Sequence, residues 1–279
     1  MSLEIFKRNE RLEEIFNRVA KQYDTLGPKY FAYFGKKLVE HVSVGKGTAL
    51  LDVAFGKGAS LIPASQYVGG NGRVIGIDFS QEMVKELQLL IHEKQLYNTN
   101  VLQMDAEILD FHDNIFDYVL CGLSLPLFSD SIGAINEMYR VLKVGGRLGI
   151  STWNKREKMG VLEKAYIKLI PNNNHQSLNN DILKPDFSSI EGIEKILKNV
   201  GLKNIDILIE EKTFYYKDEE EWWQEQWTNA SRGLFEHIES MGADVLERFK
   251  EIAFIEIIEN KDTNGIPFDA KVIFSIGQK

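Results

Sequence analysis

The sequence predicts an α/β fold, a mostly parallel, doubly wound sheet covered by helices on both faces. Three observations point there. Five apolar runs of strand length, at 49–53, 73–78, 101–104, 116–120 and 147–152, alternate with stretches of helical periodicity, the pattern of strands joined by crossover helices. The helical stretches carry end signals where the pattern needs them. The segment Gly56-Lys57-Gly58 directly follows the first run, at the strand-to-helix turn where open α/β sheets bind ligands.

In chain order, residues 3–42 read as two helices broken around Gly27-Pro28. Leu12, Ile15, Phe16, Val19 and Tyr23 form one apolar stripe, and Phe31, Phe34, Leu38 and Val42 the next. The first strand precedes a helix at 58–68. The second precedes a helix at 80–95, where Ser80 is a capping residue and Glu82 sits in the first turn. Ser129-Asp130 caps a helix over 130–144, which Gly145-Gly146 is expected to stop. A helix at 189–200 ends at Gly201 and leads into the strand-like NIDILIEEKTFYY, and FDAKVIFSIGQK closes the chain as another strand. Two insertions lie outside the alternation: 155–187, with the loop-like PNNNHQSLNND, and 217–260, which opens KDEEEWWQEQW and continues as helix. No internal repeat or linker divides the chain, so 1–279 reads as one domain: helical lid at 1–45, ligand-binding core at 46–153, and the rest of the sheet with its insertions at 154–279.

Bulk composition excludes several classes. The formal net charge of -8, without a long Lys/Arg cluster, disfavours a nucleic-acid partner. Cys121 is the single cysteine, which rules out an internal disulfide and argues against a thiolate metal cluster. The charged start MSLEIFKRNERLEE lacks the apolar core of a signal peptide, and no run reaches the ~20 apolar residues of a membrane span. The expectation is a soluble, cytoplasmic protein of a reducing compartment. Its oligomeric state is open.

The glycine turn admits three ligand classes. A P-loop needs Gly-Lys-Ser/Thr, and here Lys57 is followed by Gly58. A dinucleotide loop needs a third glycine, and Leu61 stands there. The third class is S-adenosylmethionine, which carries an amino-acid group, a sulfonium and a ribose. Asp52, inside the strand and four residues before Gly56, favours the third, since a buried carboxylate needs donors such as an α-ammonium or the turn's amides. Asp78 closes the second strand, about 20 residues beyond the loop, where a carboxylate accepts from two ribose hydroxyls. Asp105 follows the third strand and can accept from an adenine amino group. Each acid alone reads as a helix cap or solvated loop; three at successive strand ends point to one ligand.

The motifs LLDVAFGKG, GRVIGIDFSQEMV, LQMDAEIL, FDYVLCGLSL and EMYRVLKVGGRLGIST together resemble those of class I S-adenosylmethionine-dependent methyltransferases over about residues 47–153. VAKQYD near the start resembles the ubiquinone/menaquinone-biosynthesis branch. The resemblance implies a Rossmann-like, seven-stranded, mostly parallel sheet with its last strand antiparallel, and N-terminal and inserted helices forming a lid. It also implies roles. Gly56, Gly58 and Ala54 line the methionine moiety; Asp78, with Phe79 and Met83, holds the adenosine; Asp105 and Ala106 meet the adenine. Cys121 and Gly122 face the sulfonium, Tyr23 closes over the cofactor, and Asp52 is counted with them as a cofactor-binding residue. The chain departs from the family's Gly-Cys-Gly-Thr-Gly with Ala54-Phe55-Gly56-Lys57-Gly58. Lys57 reads as solvated or, alternatively, as approaching the methionine carboxylate.

The implied reaction is methyl transfer by in-line displacement to a small metabolite, for which positioning supplies much of the catalysis. No catalytic base stands out. His41, His92 and His112 read as surface or packing residues, and only His175 and His237 lie in segments that can reach a substrate. Cys121-Gly122-Leu123 offers no oxygen ligands, so no metal is expected. Asp218–Glu221 reads as a solvated helix start. Tyr30, Phe31, Tyr33 and Phe34, with Trp222, Trp223 and Trp227, are expected to wall an apolar or aromatic acceptor pocket, or to pack as lid core. Two other readings stand beside this one: a protein of the same fold that holds the cofactor without catalysis, and a nicotinamide-dependent oxidoreductase, disfavoured by Asp52 and Leu61.

Overall fold

The apolar runs fold as strands with both faces covered, which is why they read as continuous rather than alternating. A computed structural model describes residues 3–155, 160–171 and 185–279, with side chains from Glu10 onward. The loop PNNNHQSLNND lies outside the described residues beyond Pro171, His175 included. The chain begins with helices α1 (Leu3–Val19) and α2 (Tyr30–Val42), then runs β1 (Ala49–Val53), α3 (Leu61–Val68), β2 (Arg73–Asp78), α4 (Gln81–Glu93) and β3 (Thr99–Gln103). It continues with β4 (Phe116–Gly122), α5 (Ser131–Val141), β5 (Leu142–Trp153), α6 (Val161–Leu169), α7 (Ile190–Val200) and β6 (Lys203–Tyr216). Helices α8 (Glu219–Trp227), α9 (Arg232–Glu239) and α10 (Ala243–Ile258) precede β7 (Ile266–Gln278).

The seven strands lie in the order β3-β2-β1-β4-β5-β7-β6. All neighbours are parallel except β7, which is antiparallel to both β5 and β6. Strand order reverses between β1 and β4, and such a switch point opens a crevice beyond the carboxyl ends of the strands.

Local chemistry sets the helix starts. The Ser80 hydroxyl accepts from the Met83 N–H (3.1 Å) at α4. Asp130 accepts from the Gly133 N–H (2.8 Å) at α5, and Ser189 from the Gly192 N–H (3.1 Å) at α7. Asp218 caps α8 through the Glu221 N–H (2.8 Å), and its acidic first turn is paired outward, Glu219 to Lys261 and Glu220 to Lys250. One boundary differs from expectation. Helix α5 ends at Val141, and Gly145-Gly146 belongs to β5. Pairing with β4 jumps from Phe116–Leu142 to Tyr118–Arg147, so Lys143–Gly146 form an irregularity within the strand; Gly145, at φ 83°, makes that bend.

Three apolar cores result. One lies between α2, α3 and α4 and one face of the sheet, with Phe34, Leu38 and Leu61 fully buried. The second joins the opposite face to α5 and α7. The third belongs to the helices at the sheet's rim: Ala165 of α6, Trp223 of α8, Phe235 of α9, and Phe249 and Ala253 of α10. The insertion between β6 and β7 is thus a small helical layer with its own interior.

Candidate functional site

A cavity of about 510 Å³ opens at the switch point, beyond the ends of β1, β2 and β4 and beneath the α1–α2 segment. Its floor is the turn after β1. Ala54 and Gly56 both adopt left-handed backbone, at φ 58° and 54°, as do Leu123 after β4 (56°) and Asp24 above (54°). Non-glycine residues held there collect at functional sites because neighbouring structure over-determines them. Here the Ala54 and Phe55 amides donate to the Ile77 carbonyl of β2 (2.8 and 3.2 Å), fixing the turn.

The loop lacks its third glycine, and packing explains how. Leu61 is fully buried and points at β2, where a Cβ on Gly76 would lie 2.3 Å from Leu61 Cδ1. The close approach usually given by a glycine in the helix is given by one in the strand. Gly35 does the same for α2, since a Cβ there would lie 2.4 Å from the Ala59 carbonyl carbon and oxygen.

Asp78 is the central charged group. Its two carboxylate oxygens accept from the Gly56 and Ser80 amides, each at 3.0 Å, yet burial pushes its pKa up to about 6. These bonds aim the carboxylate while leaving lone pairs directed at the cavity. Phe79 packs edge-on against Phe16 at 5.7 Å, making an aromatic wall. Asp105 and Ala106 line the far end, where the Asp105 carboxylate accepts from the Glu107 N–H at 2.9 Å.

A second cavity, about 890 Å³, lies between the sheet edge and the rim helices. Tyr23 and Phe31 line both cavities, and their rings stack at 5.6 Å, so this pair is the partition. Tyr30, Trp153, Trp222 and Phe268 supply aromatic wall on the second side. Behind them Glu225, 4% exposed, accepts from the Tyr30 and Tyr216 hydroxyls at 2.7 Å each, tying α8 to α2 and β6.

A model of the ubiE/COQ5 methyltransferase family matches residues 6–207. The chain belongs to that family. Among curated proteins it is 34% identical over 145 residues to the demethylmenaquinone methyltransferase of Listeria welshimeri, across 50% of this chain and 61% of that protein. It is 32% identical over 143 residues to the aklanonic acid methyltransferase DauC of a Streptomyces species, across 51% of this chain and 65% of that protein. The chain thus spans less than two thirds of the length of these relatives. Among solved structures, YcgJ of Bacillus subtilis superimposes with a TM-score of 0.58 at 23% identity, across 88% of this chain and 98% of that one, a likeness of fold. The family match ends inside β6, so α8–α10 lie beyond it.

Within this family member, eight residues singled out from sequence line the first cavity: Tyr23, Ala54, Gly56, Asp78, Phe79, Asp105, Ala106 and Gly122. Four do not, each for a packing reason. Asp52 is fully buried behind the loop, where the Ser60 hydroxyl donates to it at 2.8 and 3.0 Å. Gly58 faces α4, and a Cβ there would come 2.9 Å from Leu87 Cδ1. Met83 is buried in the core beneath α4. Cys121 points into the opposite core, its thiol 3.0 Å from the Ser124 hydroxyl and pushed up to about 12 by burial. Lys57 also lines the first cavity, partly exposed, with its ammonium paired to Glu86 at 3.1 Å. Sequence reading missed Asp24, Leu123 and Ser151 in the first cavity and Trp153 and Phe268 in the second. Asp24, Leu123 and Ser151 stand inside the quoted motifs VAKQYD, FDYVLCGLSL and EMYRVLKVGGRLGIST without a role having been read for them; Trp153 and Phe268 had a signal only as bulky residues at strand ends. Of the aromatics expected to wall a pocket, Tyr30, Phe31 and Trp222 do so, whereas Phe34 and Trp223 are core.

Among the described residues no histidine lines either cavity. His41 is instead engaged by Glu210 at 2.7 Å. No group of three His, Cys, Asp or Glu among them is placed to hold a metal ion, and no helix among them is long and apolar enough to cross a membrane.

Proposed function

We propose that the protein transfers the methyl group of S-adenosylmethionine to a small, apolar or aromatic acceptor, with cofactor in the first cavity and acceptor in the second. The observation that carries this is the Asp78 carboxylate, aimed into the cavity by two backbone amides beside a left-handed glycine turn. That donor set fits the cofactor. An oriented carboxylate accepts from vicinal hydroxyls, Phe79 and Phe16 give an adenine a flat face, and Ala54, Gly56 and Gly122 leave the wall beside the turn free of bulk. Membership of a methyltransferase family supports the same reading.

When bound, S-adenosylmethionine supplies a methyl group on sulfonium that leaves by in-line displacement. The protein's share is positional. Asp78 and Asp105 hold the nucleoside end, and the Tyr23–Phe31 partition sets where the two ligands meet. The aromatic wall formed by Tyr30, Trp153 and Phe268 excludes water from the acceptor side, and alignment in a dry site is worth several powers of ten in rate. The relatives are named for demethylmenaquinone and aklanonic acid, and the aromatic wall here supports an acceptor of apolar or aromatic character.

Calorimetric titration with S-adenosylmethionine and S-adenosylhomocysteine, with NADH as control, tests the cofactor half. Binding of the first two but not NADH, lost in Asp78→Ala, is expected. Equal affinity in Asp78→Ala would refute the placement of the ribose. Transfer of a labelled methyl group in an acceptor screen then separates an enzyme from a binding protein of the same fold.

A further inference from the structure

The second cavity has an aromatic corner where α2 meets the sheet. The rings of Tyr30, Trp153 and Phe268 stand 5.0 to 6.2 Å from one another, centroid to centroid, with their planes inclined by 50 to 70°. All three line the cavity, and Trp222 and the Tyr23–Phe31 partition continue the wall. Rings inclined in this way cannot all stack on one flat neutral ligand, whereas a compact cation can meet several of them at once.

Behind this corner lies the buried carboxylate of Glu225. It accepts from the Tyr30 and Tyr216 hydroxyls at 2.7 Å each, from the Gln226 side-chain amide at 2.9 Å and from the Asn229 side chain. All four residues line the cavity, so each spends a donor on the carboxylate rather than on a ligand. No lysine or arginine among the described residues pairs with Glu225. A buried anion met only by neutral donors leaves a negative potential in the space beside it. The rest of the charged lining has the same sign. Glu163 and Asp269 add exposed carboxylates, and Lys164 is drawn to Glu256 at 3.5 Å.

We propose that the molecule entering the second cavity carries a positively charged nitrogen, lodged against the corner of Tyr30, Trp153 and Phe268 with Glu225 as its buried counter-charge. This rests on the reading of that cavity as the acceptor side and names the class of acceptor: an apolar body bearing a tertiary or quaternary ammonium. Such a nitrogen, covered by hydrocarbon, gives its charge to ring faces without the acceptors that a strongly hydrated primary ammonium requires. Glu225 and Trp222 belong to α8, beyond the family match, so this charge preference belongs to the chain's own insertion.

The test compares choline with 3,3-dimethylbutan-1-ol, which has the same shape with carbon in place of the charged nitrogen. Each is titrated into the full chain, with and without S-adenosylhomocysteine, by calorimetry and by the fluorescence of the cavity's Trp153 and Trp222. Choline is expected to bind roughly tenfold more tightly than its neutral counterpart, whether or not S-adenosylhomocysteine is present. Glu225→Gln and Phe268→Leu, each checked for fold by circular dichroism, should both bring that ratio towards one while leaving the neutral probe unchanged. Equal affinity for the two probes, no binding of either, a ratio that neither variant alters, or loss of choline once S-adenosylhomocysteine is bound would each overturn the assignment. The cofactor reading is judged separately, by whether S-adenosylhomocysteine itself binds wild type, and the titrations without it decide the cation preference on their own.

Discussion

Replacing Asp52 by asparagine should make the protein more stable, and increasingly so as pH rises. Asp52 lies in β1 with no solvent exposure, and its acceptor needs are met by the Ser60 hydroxyl and the Leu61 amide. No cation faces it. Burial, with the Asp78 charge as a further push, raises its pKa to about 7. The unfolded chain titrates near the ordinary value of about 3.9, so between these values the folded state binds more protons and stability falls as pH rises. For one group shifted this far, linkage gives a loss of roughly 2–3 kcal/mol between about pH 5 and pH 8. Asparagine keeps the shape and an oxygen to accept from Ser60, and removes the titration. Urea unfolding at the two pH values measures it. The stability of Asp52→Asn relative to wild type should be higher at pH 8 than at pH 5 by roughly 2–3 kcal/mol, with unchanged m-values. A variant-to-wild-type difference that is the same at both pH values would refute the reasoning.

Three further outcomes are expected. S-adenosylhomocysteine affinity should fall as pH drops through about 6, because a protonated Asp78 no longer accepts from two hydroxyls; calorimetry across that range would show the fall in wild type and a smaller one in Asp78→Asn, where Asp24, on the same cavity and also pushed up to about 6 by burial, still titrates. Gly35→Ala should cost ~1–3 kcal/mol by forcing α2 off the glycine turn, since its Cβ would lie 2.4 Å from the Ala59 backbone; a melting temperature equal to wild type would contradict this. Phe249→Ala opens the interior of the rim helices, where Phe249 packs against Trp223 at 5.9 Å and Phe235 at 5.8 Å, at a cost of ~3–5 kcal/mol. Tryptophan fluorescence, dominated by Trp222, Trp223 and Trp227 of α8, should detect the earlier unfolding.

The cofactor side of this protein was legible because its chemistry is local in sequence. Asp78 ends β2, Asp105 stands two residues after β3 and Gly56 three after β1, and strand ends in a parallel sheet meet at one edge. Asp52, Gly58, Met83 and Cys121 sit in the same motifs yet face away from the cavity, and a periodicity of two cannot show which face of the sheet a ligand occupies. The acceptor side was less legible for the opposite reason. Its wall combines Tyr30 of α2, Trp153 of β5, Trp222 of α8 and Phe268 of β7, residues brought together by the antiparallel return of β7 rather than by any spacing. Gly145-Gly146 misled because a glycine pair after a helix and a glycine bulge inside a strand leave the same mark.

The departures in the glycine loop also argue that the turn is under structural demand rather than decaying. Leu61, in place of a third glycine, fits only because Gly76 in the neighbouring strand has no side chain. Lys57, an unusual cation beside a ligand turn, is drawn off by Glu86 of α4, which leaves the charge over the turn to Asp24. Each substitution is matched by a residue distant in sequence that restores the backbone shape or the charge. A loop no longer used for binding would have no need of either compensation. Exchanging Glu86 for glutamine separates these effects. If Glu86 holds Lys57 clear of the cavity that both Lys57 and Asp24 line, the freed ammonium should crowd the turn and weaken S-adenosylhomocysteine severalfold with the melting temperature unchanged. A lowered melting temperature would show instead that the pair only supports the fold of the turn.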